Sequence, residues 1–300
     1  METRRTLLVD AFTAEPLAGN AAGVVPDAEG LSADRMAAVA AELAVSETAF
    51  VLPSETADRR LRYFSPRGEV DLCGHATIAA HAHLREAGAI EPGDHTVETN
   101  VGVLDVAVDD DGTVRMTQEQ PEIRRVDLDY DRLGDALGID PAALRDVGAD
   151  LPAAVASTGL PFLMVPVNFF ERLSAADPDA AAVETLADEY GAAGVYAFTF
   201  DALDADSTLH ARAFAPGLGI PEGPVPGTAA GACGAYLREV AAFDGEFPDE
   251  MVFEQGHFLD RPGRIRVRVG ADVEVGGRAV TALDGRLAVP PGDDDDIVEA

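Results

Sequence analysis

Glu47 stands in Val45-Ser46-Glu47-Thr48-Ala49-Phe50-Val51, an acid inside an otherwise apolar, β-prone run. A carboxylate drawn into such a strand loses solvent, which raises its pKa toward the range useful for moving protons. On an edge strand the same residue would simply face water, and both arrangements are open at this level. His75 follows Gly74 at the head of an alanine-rich segment, and Thr228 follows Gly227 at the head of another. If each segment is a helix, its start offers unpaired N–H groups and the positive end of the dipole, which together hold an anion such as a carboxylate. One glycine there reads as a plain tight turn, whereas two matched ones aimed at a shared cleft read as a site. A histidine in a first turn has its pKa lowered by the dipole and can serve as neutral donor or proton relay. Cys73 adjoins the same turn, either as a thiolate near a helix N-terminus or as a small buried hydrophobe.

Other chemistries find little footing. His81 and His83 are two residues apart, hence on different helix faces, and with His75 they make no metal set. There is no HExxH, GxSxG or Walker loop. Gly217-Leu218-Gly219 is flanked by prolines and is a poor nucleotide loop. The two cysteines, Cys73 and Cys233, lack CxxC spacing, so neither a structural disulfide nor a zinc cluster is expected, and a reducing cytoplasm suits both.

The elements that must position these residues recur. Arg62-Tyr63-Phe64-Ser65-Pro66, followed by Gly74-His75-Ala76, is matched by Arg212-Ala213-Phe214-Ala215-Pro216, followed by Gly227-Thr228-Ala229. Thr48-Ala49-Phe50-Val51 has a partner in Tyr196-Ala197-Phe198-Thr199, an alignment that sets Val195 opposite Glu47. A helical pattern precedes each, over 33–43 and 179–190. Further strands are expected over 96–108, 114–118, 251–253, 265–269 and 272–275. The period-2 alternation of Arg264-Ile265-Arg266-Val267-Arg268-Val269 marks a half-exposed strand. Small side chains in the alanine-rich helices suit close burial, so each half is expected to wrap a curved sheet around one central helix. The class is α+β. The first half is expected over residues 1–118, with a last strand near 283–290 able to return to it, and the second over 119–282. Residues 119–130 read as a linker, and the aspartate run in 291–300 as a solvated tail.

The charge is extreme: 54 acidic residues against 22 basic ones, net −32, with no lysine. Such a field repels nucleic acid and anionic membrane. It points to a cytoplasmic protein of a salt-accumulating, halophilic cell, because molar salt cuts the screening length to about 3 Å. No run of apolar residues is long enough to predict a membrane span, and the first residues read as a strand and not as a secretory signal.

Several motifs taken in order resemble the PhzF-like family of phenazine-biosynthesis isomerases. They are Val9-Asp10-Ala11-Phe12-Thr13 with Gly19-Asn20, Ser46-Glu47-Thr48-Ala49-Phe50, Phe64-Ser65-Pro66 with Glu69, and Cys73-Gly74-His75-Ala76-Thr77. In the second half they are Arg212-x-Phe214-Ala215-Pro216, Gly227-Thr228-Ala229, and Phe253-x-Gln255-Gly256 before Arg261-Pro262. The resemblance implies the diaminopimelate-epimerase-like fold with two pseudo-symmetric halves, a homodimer, and neither metal nor organic cofactor. It implies Glu47 as the acid/base group with His75 as its catalytic neighbour, and Asn20, Gly74, Gly227 and Thr228 as substrate-binding residues. The expected function is cofactor-independent isomerisation or epimerisation of a small carboxylate-bearing molecule. A non-catalytic acid-binding protein on the same fold is the alternative, and a Cys73/His75 hydrolase without an evident third group ranks last. One departure stands out: where the family commonly carries an aspartate that helps hold substrate, this chain has Gly223, preceded by Glu222. Pro226 occupies the position where two-thiol epimerases carry their second cysteine.

Overall fold

The computed structural model describes residues 2–147 and 151–290; the tail expected over 291–300 lies outside them. By internal contacts the chain divides into one unit of Met1–Met116 with Gly277–Ala300 and another of Thr117–Gly276.

In the first unit, β1 (Thr3–Ala11) pairs antiparallel with β2 (Asn20–Val25) and with the chain's last strand, Ala279–Ala288. β2 runs parallel to β3 (Thr48–Leu52), which pairs antiparallel with β4 (Arg59–Ser65). β4 carries a short antiparallel partner, β5 (Gly68–Val70), and runs parallel to β6 (Gly93–Thr99); β7 (Gly102–Val108) and β8 (Val114–Thr117) continue antiparallel. Thr48 through Val51 are buried without a break because both faces of β3 are covered. On one face Phe50 and Phe64 pack with Met36, Val39 and Ala40 of α1 (Ala33–Leu43). That helix is capped by Ser32, whose hydroxyl accepts the Arg35 N–H, and it ends at Ala44 in the left-handed conformation. On the other face Tyr63 meets α2 (Gly74–Glu86), its hydroxyl 2.6 Å from Thr77 Oγ1. Ala76 through His81 are all buried, so α2 has no solvent stripe. Its small residues admit β1, β2, β3 and the last strand as neighbours.

The second unit repeats this scheme. β9 (Glu122–Arg125) and β11 (Pro161–Pro166) flank β10 (Ala154–Ser157) antiparallel, and β11 runs parallel to β12 (Gly194–Thr199). β12 pairs with β13 (Leu209–Ala215), which carries the short β14 (Ile220–Gly223) and runs parallel to β15 (Met251–Gln255). β16 (Gly263–Val269) and β17 (Val273–Gly277) follow antiparallel. α3 (Tyr130–Leu137), α4 (Pro141–Arg145) and α6 (Ala180–Glu189) contribute to a core with Val195, Ala197 and Phe214; the short α5 spans Phe170–Ser174. α7 (Gly227–Glu239) is buried from Ala229 to Leu237. A side-chain carbon on Gly234 would fall 2.6 Å from Val267 Cγ1, which explains a glycine inside a helix.

Three expectations change. Residues 96–108 form two strands, because Gly102 at φ +123 turns the chain and Thr99 Oγ1 donates to its carbonyl at 2.9 Å. Residues 119–130 are more than a connection, since they hold β9, whose backbone bonds go to β10. The repeat is also offset by one from the sequence alignment. Arg62 lies opposite Phe50, and Arg212 lies opposite Ala197, so Gly194 answers to Glu47 and Val195 to Thr48. Any side chain at Gly194 would collide with the Phe214 carbonyl oxygen, so the second unit has no room for a counterpart of the acid.

Candidate active site

Glu47 immediately precedes β3, and its carbonyl accepts the Gly23 N–H at 3.0 Å. Strand alternation puts it on the same side as Ala49, which pairs with Tyr63 and so faces α2. Cys73 is the extended residue before α2, and its side chain gives the helix no cap bond. Its thiol instead donates to Glu47 Oε2 at 3.7 Å, while Sγ lies 3.3 Å from His75 Nδ1. The other ring nitrogen, His75 Nε2, lies 3.6 Å from Glu47 Oε2 and 3.3 Å from Ser46 Oγ. Acid, thiol and imidazole thus form one triangle at the start of α2, closed by a strand end and a helix N-terminus distant in sequence.

The electrostatics follow from burial. Burial first, and then the Glu47 charge, push the Cys73 thiol well above its usual range, outweighing the Ala76 and His75 N–H groups that favour a thiolate. Burial likewise lowers the pKa of His75, against the opposing pull of Glu47 and of a bond to the Ala21 backbone. The pair therefore reads as thiol and neutral imidazole. The third group that a Cys73/His75 nucleophile needed does exist, since Glu47 and Ser46 both reach His75. What counts against that hydrolase is the thiol itself, held protonated by its surroundings. Glu47 keeps 24% of its side chain exposed and His75 keeps 10%, so the acid remains open to a ligand.

The other expected residues are placed as follows. Asn20 opens β2, adjacent to the Ala21 that meets His75. Gly74 and Gly227 are the first residues of α2 and α7, and neither has a positive φ, so the turn they were expected to make is not a strained one. Neither helix start receives a side-chain cap bond, because Cys73 turns to Glu47 and Pro226 carries no polar side chain. Thr228 sits in the first turn of α7, where its carbonyl accepts from Thr158 Oγ1 at 3.1 Å. His81 is buried, bonded to the Thr77 carbonyl at 2.9 Å, and burial lowers its pKa to about 4.

Glu222 does not point to water. It takes a bidentate bond from Arg212, Nε to Oε1 at 2.9 Å and Nη2 to Oε2 at 2.8 Å. Arg62 and Glu69 do the same in the first unit at 2.7 Å each, and each arginine lies over the phenylalanine two residues on. Glu222 is therefore a structural partner, and Gly223 has space beside it, since an added Cβ would meet Ile220 and Pro226 no closer than 3.8 Å. Sequence reading missed Ser46 and the role of Cys73. Both flank singled-out residues, but only folding brings Ser46 to His75.

Comparison with known proteins bears on the family and the fold. The family model described as phenazine biosynthesis-like protein, PhzC-PhzF, matches residues 9–285. An uncharacterized isomerase of Bacillus subtilis is 35% identical over 95% of this chain and 96% of its own. The trans-2,3-dihydro-3-hydroxyanthranilate isomerase of Pseudomonas aeruginosa is 30% identical over 94% of this chain and 98% of its own. Among solved structures, a PhzF-family protein of Bacillus anthracis superposes with TM-score 0.88 at 32% identity, covering 96% of this chain and 100% of its own. A hydroxyproline epimerase of Agrobacterium vitis shares the fold at TM-score 0.58 and 14% identity, over 96% and 91%. The fold is accordingly diaminopimelate-epimerase-like, with two pseudo-symmetric halves. The reading as an acid-binding protein without turnover gains no support from these relatives. Matched from β1 to the last strand, the chain belongs to the phenazine biosynthesis-like (PhzC-PhzF) family and is an isomerase.

Proposed function

We propose that this isomerase moves a proton on a small carboxylate-bearing substrate without a cofactor, with Glu47 as the acid/base group. The observation that carries the reading is the Glu47 carboxylate, partly open to solvent and held between the Cys73 thiol and His75 at the start of α2. Glu47 takes a proton from a carbon next to an unsaturated or carbonyl-bearing system. The electron pair left behind spreads over that system, and Glu47 returns the proton to another carbon. His75, neutral, donates to or relays from the developing charge. The uncapped helix starts, Gly74 with Asn20 in the first unit and Gly227 with Thr228 in the second, each offer N–H groups to a substrate carboxylate or to the negative charge that builds in the transition state. The Pseudomonas relative is named for a ring acid whose carboxylate adjoins carbon–carbon unsaturation, and that chemical class is the one proposed. Gly223, which lacks the family's aspartate, indicates a substrate that makes fewer polar demands at that position.

The test is a metabolite screen of the purified protein in deuterated, high-salt buffer. Incorporation of deuterium into carbon of a carboxylate-bearing compound, lost in Glu47→Gln, is the expected result. Ligand binding with no exchange in any compound bound would refute the catalytic reading.

A further inference from the structure

Proton transfer does not use everything that the Glu47–Cys73–His75 triangle offers. Its donor atoms are a sulfur, an imidazole nitrogen and a carboxylate oxygen, all within 4.8 Å of one another. Sulfur with imidazole is the donor set that selects zinc-like, thiophilic cations over magnesium and calcium. The spacing suits such an ion. Sγ lies 3.3 Å from His75 Nδ1 and 3.7 Å from Glu47 Oε2. A tetrahedral ion with bonds of about 2.3 Å to sulfur and about 2.0 Å to nitrogen and oxygen spans edges of about 3.5 Å. Three protein donors leave a fourth position for water, and the partial exposure of Glu47 leaves a way in. The other thiol, Cys233, belongs to no such group among the described residues.

We propose that Glu47, Cys73 and His75 form a binding site for a thiophilic divalent cation, zinc or cadmium, and that its occupancy competes with proton transfer at Glu47. On binding, the Cys73 S–H bond breaks, its proton passes to solvent, and the sulfur pair forms the metal–sulfur bond. Thiolate and carboxylate together balance the two positive charges while His75 binds as the neutral ring, and no oxidation state changes. The binding stands independently of the catalytic role proposed above, and only the competition rests on it.

The experiment is a cadmium sulfate titration of the full chain in sodium sulfate, which avoids chloride complexes, followed by the ultraviolet cadmium–thiolate charge-transfer band. A band saturating at one equivalent is expected. It should vanish in Cys73→Ser, persist in Cys233→Ala, and require more than about tenfold more cadmium in both Glu47→Gln and His75→Gln. Thermal melts of each variant establish that it is folded. No band in the parent chain, a band that survives Cys73→Ser, or a band indifferent to both Glu47→Gln and His75→Gln overturns the site. Deuterium exchange that stops as the band saturates and returns with a chelator supports the competition. Exchange that continues at saturation overturns the competition and the role of Glu47, and leaves the site standing.

Discussion

Replacing Glu254 by glutamine removes a charge that the second unit has built itself around. The carboxylate is 2% exposed and lies opposite His210 across the parallel pair β13–β15. It accepts the backbone N–H groups of Leu203 at 2.8 Å and Asp204 at 2.7 Å, and His210 Nδ1 lies 3.1 Å away. Burial alone would push this carboxyl up, but those bonds outweigh it and hold the pKa at about 2 against an ordinary 4.5. The gap corresponds to ~3 kcal/mol of stability. Because the folded pKa is depressed, the contribution is complete above about pH 4.5 and is lost as the pH falls toward 2. Glu254→Gln cannot titrate, and its amide turns a donor toward N–H groups. The variant should therefore melt roughly 6–12 °C below the parent near neutral pH. The gap should narrow steadily below about pH 4.5. Urea unfolding of both chains at fixed salt, from about pH 7 to about pH 2.5, measures it; working with the difference cancels the many other carboxylates. A stability difference that is absent at neutral pH, or constant across the acid range, would refute the reasoning.

Other outcomes are equally specific. Glu47→Gln should lower turnover by about 10²–10⁴-fold and largely spare ligand binding, because the swap is nearly isosteric but an amide cannot take the proton; near-normal turnover excludes Glu47 as the base. Glu222→Gln should destabilise the fold by about 3 kcal/mol, since Arg212, 7% exposed, loses its bidentate partner, while turnover per folded molecule holds; an unchanged denaturation midpoint would show the pair to be dispensable. Melting temperature should fall as potassium chloride is taken from molar to millimolar, because a net charge of −32 is then poorly screened; a flat profile would contradict the solvent reading.

Much of the fold was legible locally. The helices at Ala33–Leu43 and Ala180–Glu189 follow from their local pattern, though Asp179, read as helical, is the cap of the second, and β16 follows from the alternation of buried Ile265 and Val267 with exposed Arg264 and Arg266. These signals lie within a few residues of one another, so no long-range contact is needed to read them. The duplication also showed itself, because Arg-x-Phe and Gly-x-Ala recur in order. Its register did not, since which residue faces Arg62 or Arg212 is settled by hydrogen bonds between strands. By itself the sequence determined that Glu47 is an acid in a β-prone run and that His75 opens a helix. Only the tertiary structure decided that Cys73 donates to Glu47, that Ser46 reaches His75, and that Glu222 answers Arg212 instead of water. The first two contacts join a strand end to a helix start 26 and 29 residues away, and the third depends on the pairing of β13 with β14; a carboxylate takes whichever donor packing brings within reach.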